Sequence, residues 1–298
     1  MLRCPACLNL DFSSYDHLSN HFLEMEKMSN AEHIMWLNRY ISAKKVSQAE
    51  LMKLLEEFFR SYKVKEWIIS AMIKKFFGEN PHPFIKAMQH PSKKVLLGYA
   101  YEHHHFLKQW VRSCSLIIGN TENEDVQFFE IENILSEWYG IPGKQKGHHE
   151  LLLRMGESYV ATRADIYNTS PLKATKRAIS FWDHVSRTFP FYEGMTAMHS
   201  LELIANRNLK NYGASIGYFD PHILKDGSIS KETVEFLREG YSADVSHSET
   251  ALDLIDKYAD TEDKKQNCMA VALKSMDEFS DYLMARLERG ELLENKQH

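Results

Sequence analysis

Three separated segments of this sequence carry carboxylate and imidazole side chains on stretches that otherwise have the apolar pattern of buried helices. They are residues 133–151, 195–202 and 243–248. Helical bundles build two-metal sites from inward-facing Glu, Asp and His side chains on several helices. The pattern therefore predicts metal chemistry in a helical core, provided that the fold brings the three segments together.

A second group of metal-binding residue types stands at the N-terminus. Cys4 and Cys7 form a Cys-x-x-Cys turn, and His17 and His21 are one helical turn apart. Two thiolates and two imidazoles suit tetrahedral zinc, and the segment resembles a C2H2 zinc finger. The spacing between Cys7 and His17 is shorter than usual for such a finger, so His33 is an alternative fourth ligand. A zinc site here would serve as a folding staple or a docking surface.

The composition limits the remaining possibilities. A net charge of −5 argues against nucleic-acid binding, which needs clustered Lys and Arg. No apolar run is long enough to cross a membrane, and residues 1–5 lack the pattern of a secretory signal. With four cysteines, two of them in the Cys-x-x-Cys turn, a disulfide framework is not expected. We therefore expect a cytoplasmic protein that does not contact membranes.

Long helices must position these residues, because only 13 Gly and 8 Pro punctuate 298 residues. Ser47 and Glu50 form a capping box before an apolar helical face, and Tyr99, His103 and Phe106 recur at helical spacing. We predict an all-α protein, with a zinc-finger-like segment at 1–33 and a helical domain at 34–298. The main predicted helices are 93–114, 126–139, 148–161, 173–188, 193–212, 234–258 and 262–288, with a loop at 218–230.

The same three segments carry a family resemblance. Glu137 and Gly140 precede a His148-x-Glu150 helix start, the stretch 198–202 ends in a glutamate, and residues 244–248 contain Asp-x-x-His-Ser. Over residues 75–290 the sequence resembles the haem-oxygenase-like superfamily, in the branch of the TenA proteins, pyrroloquinoline-quinone synthase C and the chlamydial death-domain-associating protein. The resemblance implies a haem-oxygenase-like helical bundle. It also implies five iron ligands, which are Glu137, His148, Glu202, Asp244 and His247.

One position departs from the family pattern. Gly240 stands where the iron-binding members have a histidine, so one of six ligands is missing. Without this ligand, one iron site could be weakened or an oxidase function lost. Alternatively, water or another side chain could take the place of the histidine. The run 102–105 is the nearest source of a replacement ligand, because Glu102 and His105 are three residues apart and share a helical face.

The resemblance implies an iron-dependent oxidoreductase, with one or two irons, that uses O₂ to oxidise or oxygenate a small organic molecule. No catalytic residue beyond the metal ligands can be assigned. The alternative is a non-catalytic haem-oxygenase-like module that binds a ligand or a partner, with zinc as its only metal. A homodimer or a protein partner bound through the N-terminal segment is left open.

Overall fold

A computed structural model describes residues 1–141 and 145–295 of the chain, without the side chains of residues 141, 145 and 241–246. The described part is helical apart from one antiparallel pair of two-residue strands, β1 (Gly140–Ile141) and β2 (Gln145–Lys146), and the bridge Leu2–Phe12. The all-α prediction is confirmed. The α-helices are α1 (Tyr15–Lys27), α2 (Ala31–Tyr40), α3 (Gln48–Phe58), α4 (Val64–Met72), α5 (Pro83–Ala87), α6 (Lys93–Gly119), α7 (Glu124–Ile134), α8 (His148–Glu157), α9 (Arg163–Asn168), α10 (Lys173–Thr188), α11 (Phe191–His199), α12 (Lys231–Tyr258) and α13 (Glu262–Glu294).

The centre of the bundle is the crossing of α6 and α13. Both helices are buried along most of their length and pack against α10 as well. Gly98 of α6 and Gly290 of α13 permit the close approach, because a Cβ at Gly98 would collide with the Arg286 carbonyl and one at Gly290 with that of Lys94. The crossing therefore brings Arg286 of α13 beside the Tyr99 ring of α6.

Two helices change their winding close to the predicted metal-binding residues. After α7 the chain continues as one π-helical turn, Leu135–Tyr139, which ends at Gly140 with a φ of 71°. After α11 it continues as 3₁₀ turns, Ser200–Ala205 and Arg207–Tyr212, where we predicted one helix to residue 212. Single π-helical turns are frequently found at functional sites. Glu137 lies in the first of these irregular segments and Glu202 in the second.

The N-terminal segment packs directly on the bundle. Leu2, Arg3 and Cys4 are buried, and the Arg3 backbone N–H donates to Gln266 and Asn267 of α13. The predicted domain boundary after residue 33 falls within α2. Among the described residues, no helix is both long enough and apolar enough to cross a membrane.

Candidate metal centres

The N-terminal cluster gathers two sulfurs and two ring nitrogens around one point. The ligand atoms of Cys4, Cys7, His21 and His33 lie within 4.8 Å of one another. Cys4 Sγ is 3.6 Å from His33 Nε2, and Cys7 Sγ is 3.5 Å from His21 Nε2. This is the donor set of a closed structural zinc site. A hydrogen bond with Cys4 lowers the pKa of the Cys7 thiol to about 3 against the effect of burial, which makes a thiolate available.

Asn30 orients the His33 ring for this role. The Asn30 Oδ1 lies 2.8 Å from His33 Nδ1 and caps the start of α2 through the His33 backbone N–H. Because the amide oxygen can only accept, Nδ1 carries the proton and Nε2 presents its lone pair to the cluster. Such hydrogen bonds to the second ring nitrogen are usual for metal-binding histidines.

His17, which we predicted as a zinc ligand, lies outside this cluster. Its side chain is exposed, and its Nδ1 is 2.8 Å from the Ser13 hydroxyl. The alternative ligand, His33, takes its place because α2 folds back against α1. The spacing of His17 and His21 on one helix predicted a pair of ligands, but the two imidazoles of the cluster, His21 and His33, come from two helices.

We expect His33→Ala to remove most of the zinc that the full-length protein binds, about one ion per chain, because three ligands hold structural zinc far less tightly than four. His17→Ala is the matched control and should keep its zinc. Metal analysis of the desalted proteins measures both. A His33→Ala protein with full zinc, or a His17→Ala protein without it, would contradict this ligand set.

The second candidate centre is a cavity of about 70 Å³ in the helical core. Three predicted ligands line it from three separate elements: Glu137 from the π-turn, His148 from the start of α8, and Glu202 from the 3₁₀ turn. His148 Nδ1 is 3.4 Å from Glu137 Oε2. The described lining residues are Tyr99, His103, Phe106, Leu107, Trp110, Glu137, His148, Leu201, Glu202, Ile204, Ala205, Tyr218, Phe279 and Arg286.

Glu202 is held by a buried chain of charged groups. His199 Nδ1 donates to Glu202 Oε1 at 2.7 Å, and His199 Nε2 donates to Glu130 Oε1 at 2.8 Å. Burial alone would lower the pKa of His199, but the two carboxylates outweigh it and raise the pKa to about 10. His199 is therefore an imidazolium that donates a hydrogen bond to each of the two carboxylates. Sequence reasoning missed this role, although His199 lies inside the motif 198–202.

The free oxygen of Glu202 fits a metal. Its Oε2 is buried and has no hydrogen-bond partner among the described residues. A buried carboxylate oxygen without a partner costs free energy unless a cation or a donor faces it. The cavity brings a second carboxylate, Glu137, and the imidazole of His148 to the same space, and this mixed set suits iron. The residues present therefore fit the metal that the resemblance implies.

The remaining two predicted ligands lie on α12. The side chain of Asp244 is outside the described residues, and His247 is half-buried but is not among the described lining residues. α12 does reach the cavity region, because the Phe236 ring lies 4.6 Å from the His148 ring. Positions 240 and 244 follow Phe236 at four-residue intervals. The ligand roles of Asp244 and His247 stay predictions.

The source of a replacement ligand that we predicted at Glu102 and His105 is not part of the cavity. Glu102 is fully buried and accepts from Arg289 Nε at 2.6 Å, from the Thr175 hydroxyl and from the Leu172 backbone N–H. These bonds turn its carboxylate toward α10 and α13, and His105 is also absent from the described lining. His103 lines the cavity instead. Its helical spacing with Tyr99 and Phe106 was the signal that could have identified it.

Comparison with known proteins decides the family. The model of the TENA/THI-4/PQQC family matches residues 69–289, which are most of the chain and include all three elements that bring a predicted iron ligand to the cavity. The chain belongs to the TENA/THI-4/PQQC family. A separate model, the C2H2 type zinc-finger, matches residues 1–60, which include the four clustered Cys and His residues. This match supports zinc as the metal of the N-terminal cluster.

Solved structures show the same fold for this TENA/THI-4/PQQC chain. A TenA homologue from Pyrococcus horikoshii superposes with a TM-score of 0.57 at 13% identity, over 80% of this chain and 98% of the homologue. A domain of unknown function with a haem-oxygenase-like fold from Shewanella denitrificans gives a TM-score of 0.56 at 15% identity, over 84% and 96% of the two chains. The predicted haem-oxygenase-like fold is confirmed.

One curated relative has a named activity. The 4-aminobenzoate synthase of Nitrosomonas europaea is 24% identical over 170 residues, which cover 56% of this chain and 63% of the relative. The match thus spans less than two thirds of that protein.

Proposed function

We propose that this TENA/THI-4/PQQC protein is an iron-dependent oxidase or oxygenase of a small organic molecule. The observation that carries the proposal is the meeting of Glu137, His148 and Glu202 at one cavity, where a buried Glu202 oxygen has no hydrogen-bond partner in the described part of the chain. Asp244 and His247 would complete the ligand set from α12. Bound iron would supply the activation of O₂ and the transfer of electrons to or from the substrate.

The chain's own residues prepare the site for such chemistry. The His199 imidazolium fixes Glu202 through one oxygen and leaves the other free for a metal. The side chains of Phe106, Trp110 and Phe279 line the cavity and restrict water beside the carboxylates. A dry, shaped site strengthens electrostatic interactions and limits side reactions of a reactive centre. This function also accounts for a buried charged chain that stability alone does not require.

The alternative is a ligand-binding module without catalysis, and Gly240 is the observation that favours it. Metal analysis after anaerobic loading with Fe(II) and desalting separates the two, with zinc counted in the same sample. At least one tightly held iron per chain beside zinc is expected. A protein that retains zinc but no iron would contradict the oxidase proposal. For activity, the name of the curated relative makes 4-aminobenzoate the first product to assay under air, with iron and a reductant.

The missing ligand gives a further prediction. We expect Gly240→His to raise the iron bound per chain, because positions 240, 244 and 247 share one stripe of α12 and a histidine would restore the sixth ligand. Replacing a glycine inside a helix also adds up to about 1 kcal/mol of helix propensity. Gly240→Ala is the matched control for that backbone effect and should not change the iron content. Two irons per chain in the wild type, or no gain in the histidine variant, would contradict this explanation of position 240.

A further inference from the structure

Arg286 lies inside the core and forms no ion pair with a carboxylate of the described residues. Its side chain is 1% exposed and lines the same cavity as Glu137, His148 and Glu202. Its Nη1 donates to the Tyr218 hydroxyl at 3.0 Å and its Nη2 to the Tyr282 hydroxyl at 2.7 Å. Its Nε has no hydrogen-bond partner among the described residues. The group is therefore a desolvated cation whose protein partners are neutral.

The other two buried arginines show what is unusual here. Arg289, three residues further along α13, pairs with Glu102 at 2.6 Å, and Arg3 pairs with Glu193 at 2.7 Å. A buried charge is costly unless an opposite charge or a full set of hydrogen bonds offsets it. For Arg286, cation–π contacts replace an ion pair only in part. Its Cζ lies 4.0 Å from the centre of the Tyr99 ring and 4.6 Å from that of the Tyr282 ring. Within the described chain, this guanidinium lacks the anion that the other two possess.

His103 lines the cavity beside Arg286 and provides a second hydrogen-bond donor. Its Nδ1 is 2.9 Å from Arg286 Nη2 and 2.8 Å from the Tyr282 hydroxyl. Arginine can only donate, so Nδ1 must be the acceptor and the proton must sit on Nε2. With its lone pair used at Nδ1, His103 offers the cavity an N–H donor rather than a metal ligand.

We propose that Arg286 and His103 form a carboxylate-binding subsite, and that the substrate is a small organic acid. This rests on the proposed function in one respect, that the occupant of the cavity is the molecule to be oxidised. A guanidinium is a preferred partner of a carboxylate, and the Arg286 Nε–H, which has no hydrogen-bond partner among the described residues, can donate to it. The apolar remainder of the acid would contact Phe106, Trp110 and Phe279, which line the same space.

The charges in the cavity favour a monoanion and set its direction. Glu137 and Glu202 repel a second anionic group, so a phosphate dianion suits this single guanidinium poorly. The carboxylate would bind at Arg286, and the opposite end of the acid would face Glu137, His148 and Glu202. A volume of about 70 Å³ holds roughly five water molecules, so the acid must be small.

The test compares acids with amides of the same shape. Benzoate and benzamide, and the smaller pair butyrate and butyramide, are titrated by calorimetry into the full-length protein loaded anaerobically with Fe(II). We expect at least one of the two acids to bind about tenfold or more tighter than its amide, because charge-assisted hydrogen bonds are stronger than neutral ones. Arg286→Met should reduce this preference to about threefold or less. Arg112→Met, which changes an exposed arginine paired with Asp183, is the matched control and should keep the preference.

The outcomes separate the subsite from the iron proposal. Iron and zinc are counted in every sample, and Arg286→Met should keep both metals. A wild type that prefers acids but holds no iron would support the subsite and overturn the proposed function. A wild type that holds iron but binds each acid and amide alike, or neither member of either pair, would overturn the subsite alone. If Arg286→Met does not fold, Arg286→Lys is measured instead, because it keeps the positive charge but removes the guanidinium. An acid preference equal to that of the wild-type protein would then contradict recognition by the guanidinium.

Discussion

Arg3→Met should lower the free energy of unfolding by about 3–5 kcal/mol, because it leaves the carboxylate of Glu193 buried without its ion-pair partner. Arg3 Nε lies 2.7 Å from Glu193 Oε2, and both side chains are 1% exposed. The Arg3 guanidinium also covers the Phe189 ring, with its Cζ 3.7 Å from the ring centre, and its Nη1 donates to the Leu8 carbonyl. This one side chain therefore joins the N-terminal segment that holds Cys4 and Cys7 to α11.

Denaturant unfolding of the two proteins measures the effect. Arg39→Met is a matched control, since Arg39 pairs with Asp277 while half exposed and should cost at most about 1 kcal/mol. The double variant Arg3→Met with Glu193→Gln should recover part of the loss, because no buried charge is left unpaired. A loss in Arg3→Met no larger than in Arg39→Met would show that the ion pair does not hold the segment to the bundle.

The loss should also depend on pH. Burial raises the pKa of Glu193 even with Arg3 present, and removal of Arg3 takes away the interaction that opposes this shift. A carboxyl group with a folded-state pKa above its unfolded value binds more protons when folded. Stability then falls as pH rises from the unfolded pKa through the folded one. The deficit of Arg3→Met relative to wild type should therefore be smaller at pH 6 than at pH 7.5.

Local signals located the longest helices, although α6, α12 and α13 extend beyond their predicted ends. α10 spans the predicted residues 173–188, and the Ser47 hydroxyl accepts from the Glu50 backbone N–H at the start of α3 as predicted. The predicted helix 193–212 was wrong beyond residue 199. There the Asn206 side chain accepts from the Asn208 backbone N–H and donates to Ser248 of α12. Such a side chain competes with helical hydrogen bonds, and its partner on α12 is 42 residues away, so periodicity could not reveal it.

The candidate sites were predictable to the extent that the motifs are local. Cys4 and Cys7 form one turn, and the neighbourhood of Glu137 and His148 spans one connection, so short patterns identified them. The partners that come from other elements were missed or ranked second. His33 joins the zinc cluster from the next helix, and His103 enters the cavity beside Arg286, which is 183 residues away. The helical spacing of His103 with Tyr99 and Phe106 places it on the apolar face of α6, but only the packing of α6 against other helices shows that this face lines the cavity.

Glu202→Ala should have the largest effect on iron, with a loss of affinity above about 100-fold, because a direct ligand matters more than the groups that orient it. Glu202→Gln should lose iron as well, since it keeps the volume and an acceptor for His199 but removes the charge. Glu132→Ala, at an exposed glutamate of α7, is the matched control and should keep its iron. Zinc at Cys4 and Cys7 should be unchanged in all three proteins and serves as the internal standard for folding.

The orienting role of His199 makes the same experiment sharper. His199→Asn removes the imidazolium that joins Glu130 to Glu202 but leaves the Glu202 carboxylate in place, and it should weaken iron binding by about 10- to 100-fold. Iron affinities from competition with a chelator of known strength, under argon, would rank the proteins as wild type, His199→Asn, then Glu202→Ala. If Glu202→Ala keeps wild-type iron while His199→Asn loses it, Glu202 is not the ligand. Glu130, the other carboxylate on His199, would then be the next candidate, since the structure as described shows no hydrogen-bond partner for its Oε2.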